Sequence, residues 1–157
     1  MLAILYYSVT RLHSVSQPTT IEAMAKILLV EDEPSIRDLY TRQLTKANHQ
    51  VMAVEDGTKG LEQLKANVFD VLLLDIMLPG INGLQVLREF KTLVPNSPTK
   101  VILLTNLGQD SVIKEGFELG AQAYLIKASY TPDQVVAEVQ NILSGQPSNL
   151  PNTPPAT

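Results

Sequence analysis

Cysteine is absent from the chain, which excludes a disulfide scaffold, a thiolate metal site and cysteine-based catalysis or redox sensing, and is compatible with a reducing cytoplasm. An excess of positive charge is missing as well. Twelve Lys plus Arg against 16 Asp plus Glu give a formal charge of -4 and a pI near 5.1, so direct DNA binding is not expected. No apolar run is long enough to span a bilayer. The segment Met1 to Val9 is interrupted by Ser8, has no basic residue before it and leads to no clear cleavage site, so neither a membrane anchor nor a secretory signal is expected. Neither GxxxxGK followed by Ser or Thr, nor GxGxxG, occurs, which argues against a phosphate-cradling nucleotide enzyme.

What remains is 157 residues with 45% hydrophobic and 18% charged side chains, enough for one globular domain with a full core and little room for a second. Three regions are expected. Residues 1–23 read as a disordered or adventitious extension, since MAKILLVEDEP from Met24 looks like a natural start. Residues 24–144 read as the folded domain. Residues 145–157, GQPSNLPNTPPAT, hold four prolines in thirteen positions and read as a flexible Pro-rich tail without an output module.

From Lys26 onward, short apolar runs alternate with segments of helical period, as repeated βα units around a parallel sheet require. Strands are expected near 26–30 (KILLV), 50–54 (QVMAV), 70–74 (DVLLL), 100–104 (KVILL) and 122–126 (QAYLI). KILLV, DVLLL and KVILL suit central strands covered on both faces, whereas QVMAV and QAYLI suit flanking ones. Pro34 fits the first turn of a helix whose apolar stripe is Ile36, Leu39, Tyr40 and Leu44. Further stripes follow at Leu61 and Leu64, at Leu84, Leu87 and Phe90, at Val112, Ile113 and Phe117, and at Val135, Val139 and Ile142. Core packing accounts for all of them. His13 and His49 are expected at solvated surface positions.

In an open parallel sheet, functional groups collect beyond the carboxyl ends of the strands. Glu31, Asp32 and Glu33 follow the first strand, Asp75 the third, Thr105 the fourth and Lys127 the fifth. Singly, each has an ordinary reading as a helix cap or turn residue. Together they describe an acidic rim whose mutual repulsion would raise pKa values or recruit a cation, and its oxygen donors suit Mg²⁺ better than zinc. Lys127 adds a positive charge and Thr105 a hydroxyl donor for phosphoryl oxygens. These parts suit phosphoryl transfer to a carboxylate.

The segments ILLVEDEP (27–34), DVLLLDIMLPGINGLQVL (70–87), VILLTN (101–106) and GAQAYLIKA (120–128) resemble the receiver domains of two-component response regulators, chemotaxis-type receivers included. Asp75 and Thr105 are 30 residues apart and Thr105 and Lys127 22 apart, similar to the family's spacing. The resemblance runs from about Ala25 to Leu143. It implies an α/β, doubly wound, flavodoxin-like fold: a five-stranded parallel sheet in order 2-1-3-4-5 with helices on both faces. It implies that Asp75 takes a phosphoryl group from a histidine kinase or phosphotransfer protein. Asp32 and Asp75 would bind Mg²⁺ directly, Glu31 through water, and Met77 through its backbone carbonyl. Lys127 would pair with phosphoryl oxygens, while Thr105 and Tyr124 would switch a protein-interaction face that an unidentified downstream protein, or a second copy through the fourth and fifth helices, would use. Pro79, Gly80 and Gly83 match the loop into the third helix and read as turn residues.

Several departures stand out. Ala128 follows Lys127 where the family usually has proline after a cis bond. A cis bond before a non-proline residue costs about 2.5 to 4 kcal/mol, so a looser Lys127 is expected. Asn106 follows the switch threonine, where small residues are usual, and is expected to narrow phosphoryl access. Glu31 replaces the aspartate of many members. Met77 and Leu107 stand where fast-clearing members carry polar side chains; neither can orient water, so slow self-dephosphorylation is expected.

The chain is thus expected to be a cytoplasmic, single-domain signalling protein, not an enzyme in the usual sense, though it would catalyse its own Mg²⁺-dependent phosphorylation and dephosphorylation. Two other classes compete. An aspartyl-phosphate phosphatase would place a second acid two residues after the nucleophile, where this chain has Met77. A constitutive interaction module with a vestigial site is disfavoured because every core site residue is present.

Overall fold

The computed structural model describes residues 24–106 and 110–151. The expectations for residues 1–23, His13, Leu107 and residues 152–157 therefore lie outside the described residues. The described residues alternate strand and helix: β1 (Lys26–Val30), α1 (Pro34–Lys46), β2 (Gln50–Val54), α2 (Gly57–Ala66), β3 (Val71–Asp75), α3 (Gly83–Leu93), β4 (Lys100–Thr105), α4 (Asp110–Glu118), β5 (Ala123–Ile126) and α5 (Pro132–Ser144), with a 3-10 turn at Lys127–Ser129. All strand pairs are parallel and the order is β2-β1-β3-β4-β5.

Because side chains alternate along a strand, the sheet has a core on each face. Leu28, Leu72, Leu74 and Leu103 meet Leu61, Leu64, Leu87 and Phe90 from α2 and α3 on one side. Ile27, Leu29, Ile102 and Leu125 meet Tyr40, Leu44, Val135 and Val139 from α1 and α5 on the other. All five residues of β3 are buried, whereas β2 keeps partly exposed positions throughout, as a flanking strand should. Local signals set the helix starts: Pro34 and Pro132 occupy first turns, Asp56 caps α2, and Asn82 with Gln85 and Thr131 with Gln134 form reciprocal capping boxes.

Four expectations need correction. β3 and β4 extend one residue further than expected, so Asp75 and Thr105 end their strands instead of following them. Leu39 is 41% exposed; α1 turns Tyr40 and Leu44 to the core and leaves Leu39 on its flank. His49 is buried, and its Nδ1 accepts a hydrogen bond of 3.4 Å from the Ala25 N–H. Asn48, at φ 67°, turns the chain so that His49 tucks beneath the start of β1. Finally, the supposed tail is packed as far as Pro151. Gly145 ends α5 in the left-handed conformation, which reverses the chain and carries Leu150 back into the core beside α5.

Candidate functional site

Asp75 is the last residue of a fully buried strand, and its side chain is only 2% exposed. The Met77 N–H donates to its Oδ1 at 2.9 Å, and Lys127 Nζ donates to its Oδ2 at 2.9 Å. Glu31, at the end of β1, is fully buried; its Oε2 and Oε1 accept from the same ammonium at 2.9 and 3.2 Å. Asp32 is exposed beside them. One carboxylate oxygen from each of Glu31, Asp32 and Asp75 falls within a group no wider than 4.8 Å. The first and third strands thus bring together the acids expected to converge, and the end of β5 adds Lys127.

Electrostatics follow from this burial. Burial pushes the Glu31 carboxyl above its usual range, the hydrogen bond from Lys127 opposing it and the charge of Asp75 adding to it. Burial works against the Lys127 ammonium too, but its bonds to Asp75 and Glu31 outweigh this and hold the pKa above the usual lysine value. The expectation of a loose Lys127 is therefore corrected. Its side chain is 5% exposed and held by two carboxylates. The peptide bonds of the described residues are all trans, and a 3-10 turn carries the chain through Ala128.

Thr105 is buried at the end of β4, the strand paired alongside β3 through Asp75 and Leu104. Asn106 is exposed. Tyr124 is half-buried on β5, with its ring edge-to-face against Phe117 of α4 at 6.1 Å. Met77 projects outward with 70% exposure, so its side chain does not itself shield Asp75 from solvent. It borders an open cleft of about 590 Å³ that Asp32, Pro79, Asn82 and Val112 also line.

Two contributors are legible only in the structure. Arg37 on α1 reaches back with Nη1 to the carbonyl oxygens of Glu31 and Asp32, at 2.8 and 3.0 Å, and ties down the loop bearing two of the acids. Its place six residues after Glu31 does not distinguish it from any other surface arginine. Gly83 is more than a turn residue. It opens α3 against the back of Asp75, where a Cβ would overlap the Asp75 carbonyl oxygen and lie 2.9 Å from Ile76 Cα.

The acidic cluster suits a hard cation: its donors are all carboxylate oxygens, one of them on an exposed residue open to solvent. No helix of the described residues is long and apolar enough to cross a membrane.

The chain is similar to known proteins. A family model for the response regulator receiver domain matches residues 27–140. The response regulator ArlR of Staphylococcus saprophyticus is 34% identical over 124 residues, covering 79% of this chain and 54% of ArlR. The transcriptional regulatory protein ResD of Bacillus subtilis is 35% identical over 119 residues, covering 75% of this chain and 48% of ResD. The chain thus spans about half the length of these curated relatives. Among solved structures, the BeF3-activated receiver domain of DrrB, a Thermotoga maritima protein, superposes with a TM-score of 0.67 at 33% identity, covering 77% of this chain and 98% of that one. A CheY-like receiver domain protein from Methanospirillum hungatei gives a TM-score of 0.72 at 25% identity, covering 79% and 97%.

Proposed function

Since the chain belongs to the response regulator receiver family of two-component systems, we propose that it accepts a phosphoryl group on Asp75 from the phosphohistidine of a histidine kinase or phosphotransfer protein. The observation that carries this reading is the buried Lys127 ammonium shared by Glu31 and Asp75 at 2.9 Å each. In the transfer, a carboxylate oxygen of Asp75 forms the new bond to phosphorus while the phosphorus–nitrogen bond to the donor imidazole breaks and its electron pair returns to the ring.

The residues divide the work. Met77 N–H and Lys127 fix the rotamer of Asp75, so the acceptor is oriented before the donor arrives. Lys127 then neutralises phosphoryl oxygens beside the carboxylates. Asp32, Asp75 and the Met77 carbonyl would hold Mg²⁺, with Glu31 acting through water; the ion would supply charge neutralisation for the phosphoryl group. Thr105 and Tyr124 would pass the change to the face of α4, β5 and α5. A net charge of -4 favours a protein as the target of that face over DNA. The chain catalyses only its own phosphorylation and dephosphorylation in this scheme.

The test is incubation with Mg²⁺ and acetyl phosphate, followed by intact mass measurement. Wild type should gain one phosphoryl group, and Asp75→Asn should gain none. Label on the variant at the wild-type level would refute the assignment.

A further inference from the structure

The segment after α5 is anchored at three points. Glu138 of α5 is 5% exposed, and its carboxylate accepts hydrogen bonds from the Ser148 hydroxyl at 2.7 Å and from the Asn149 N–H and Nδ2 at 2.8 Å each. Leu150 is 3% exposed and belongs to the core that includes Leu125, Val135 and Val139. The Pro151 carbonyl accepts from the Tyr124 N–H at 3.2 Å. Because β5 ends the sheet, that amide points away from β4 and would otherwise have only water. Residues 146–151 therefore form a strap across α5 and the outer edge of β5.

β5 is only four residues long. Its outer edge holds the strap through Tyr124, and its C-terminal end leads directly into Lys127, which is fixed to Asp75 and Glu31. Only two residues, buried Leu125 and Ile126 after it, separate the strap's backbone anchor Tyr124 from Lys127, which carries the ammonium of the site. Closely packed elements of this kind shift as units and do not stretch.

We propose that the strap 146–151 is a latch linked to the state of Asp75: it docks on the unphosphorylated domain and is released on phosphorylation. The proposal rests on Asp75 being the phosphoacceptor. When Lys127 exchanges a carboxylate for phosphoryl oxygens, β5 moves with it and the Tyr124–Pro151 hydrogen bond is lost. Linkage is reciprocal, so undocking the strap must also favour phosphorylation.

Amide hydrogen exchange on the full chain tests both directions. In the resting protein the amides of Tyr124 and Asn149 should be protected, and Mg²⁺ with beryllofluoride should speed their exchange at least tenfold. The variant Leu150→Asp, and the milder double variant Ser148→Ala with Asn149→Ala, which leaves the core intact, should expose the Tyr124 amide without beryllofluoride. Both should also be phosphorylated by acetyl phosphate severalfold faster than wild type. Unchanged protection at Tyr124 and Asn149 while Asp75 takes up the phosphoryl group, or wild-type phosphorylation rates in strap variants whose Tyr124 amide is exposed, would overturn the latch alone. No phosphorylation of Asp75 in any form would overturn the latch together with the reading of the site.

Discussion

Lys127 Nζ and Asp75 Oδ2 lie 2.9 Å apart although 52 residues separate them in the chain. The contact is buried, and Glu31 shares it from the other side. The ammonium therefore neutralises carboxylates that would otherwise confront each other at the ends of β1 and β3. Any cation or phosphoryl group that enters must renegotiate these bonds.

Removing that ammonium should be costly. Lys127→Met leaves two buried carboxylates facing one another, and a loss of about 3 to 5 kcal/mol is expected at neutral pH. In the variant, Glu31 binds its proton more tightly in the native state than in the unfolded chain, so stability should rise as the pH falls through its raised native pKa. Added Mg²⁺ should restore part of the loss by binding the native state. Urea unfolding across pH, with and without Mg²⁺, checks this, and a variant as stable as wild type at neutral pH would contradict it.

The contact of Gly83 with the Asp75 backbone predicts a loss from the smallest addition. Gly83→Ala forces a methyl group into the Asp75 carbonyl and Ile76 Cα. The strand end must shift, at about 1 to 3 kcal/mol of stability. Phosphorylation by acetyl phosphate should slow more than tenfold, because Asp75 itself is displaced. Wild-type thermal stability and labelling in this variant would show that the loop yields freely.

Arg37 grips the backbone carbonyls of Glu31 and Asp32, so it orients the acids through the main chain. Arg37→Gln should therefore weaken Mg²⁺ binding by roughly threefold to tenfold, the range expected for hydrogen bonds of about 0.5 to 1.5 kcal/mol. Arg37→Lys should recover part of it. Isothermal titration gives the affinities. Tighter binding in Arg37→Gln would mean that the guanidinium acts chiefly by repelling the ion.

Glu138 predicts an acid-sensitive contribution. Burial pushes its carboxyl up, but hydrogen bonds from Ser148 and Asn149 outweigh this and hold it below the usual carboxylate range. Its native state thus binds the proton more weakly than the unfolded chain. The stabilisation is complete above the unfolded carboxyl's pKa and is lost as the pH falls through the lower native value. Tyr130 also senses this charge and stays neutral throughout that window. Stability measured by urea unfolding between roughly pH 6 and pH 3 should fall less steeply in Glu138→Gln than in wild type; parallel slopes would argue against the assignment.

The sheet and the acids were legible because both rest on short-range patterns. KILLV, DVLLL and KVILL announce buried strands, and parallel topology sends the residue after each apolar run to one rim, so Asp75, Thr105 and Lys127 could be read together. The contacts that depend on how separate elements meet were not legible. Nothing around Arg37 marks it as reaching back to Glu31 and Asp32. The burial of His49 depends on Asn48 adopting a left-handed turn, and that of Leu150 on Gly145 reversing the chain. Proline content obscured the last case, since one leucine among prolines carries no periodicity. The looseness expected of Lys127 came from its neighbour Ala128, whereas its placement is decided by Glu31 and Asp75.

The strap meets the sheet edge through an imino acid. Pro151 offers β5 a carbonyl but has no N–H of its own, so a further strand laid against it would find no donor there. Growth of the sheet by edge-to-edge pairing is thus interrupted on the β5 side. The opposite margin is different: β2 presents exposed Gln50 and Met52. Self-association through strand pairing at high concentration would therefore proceed from β2, and a charged residue in place of Met52 is where a more soluble variant would begin.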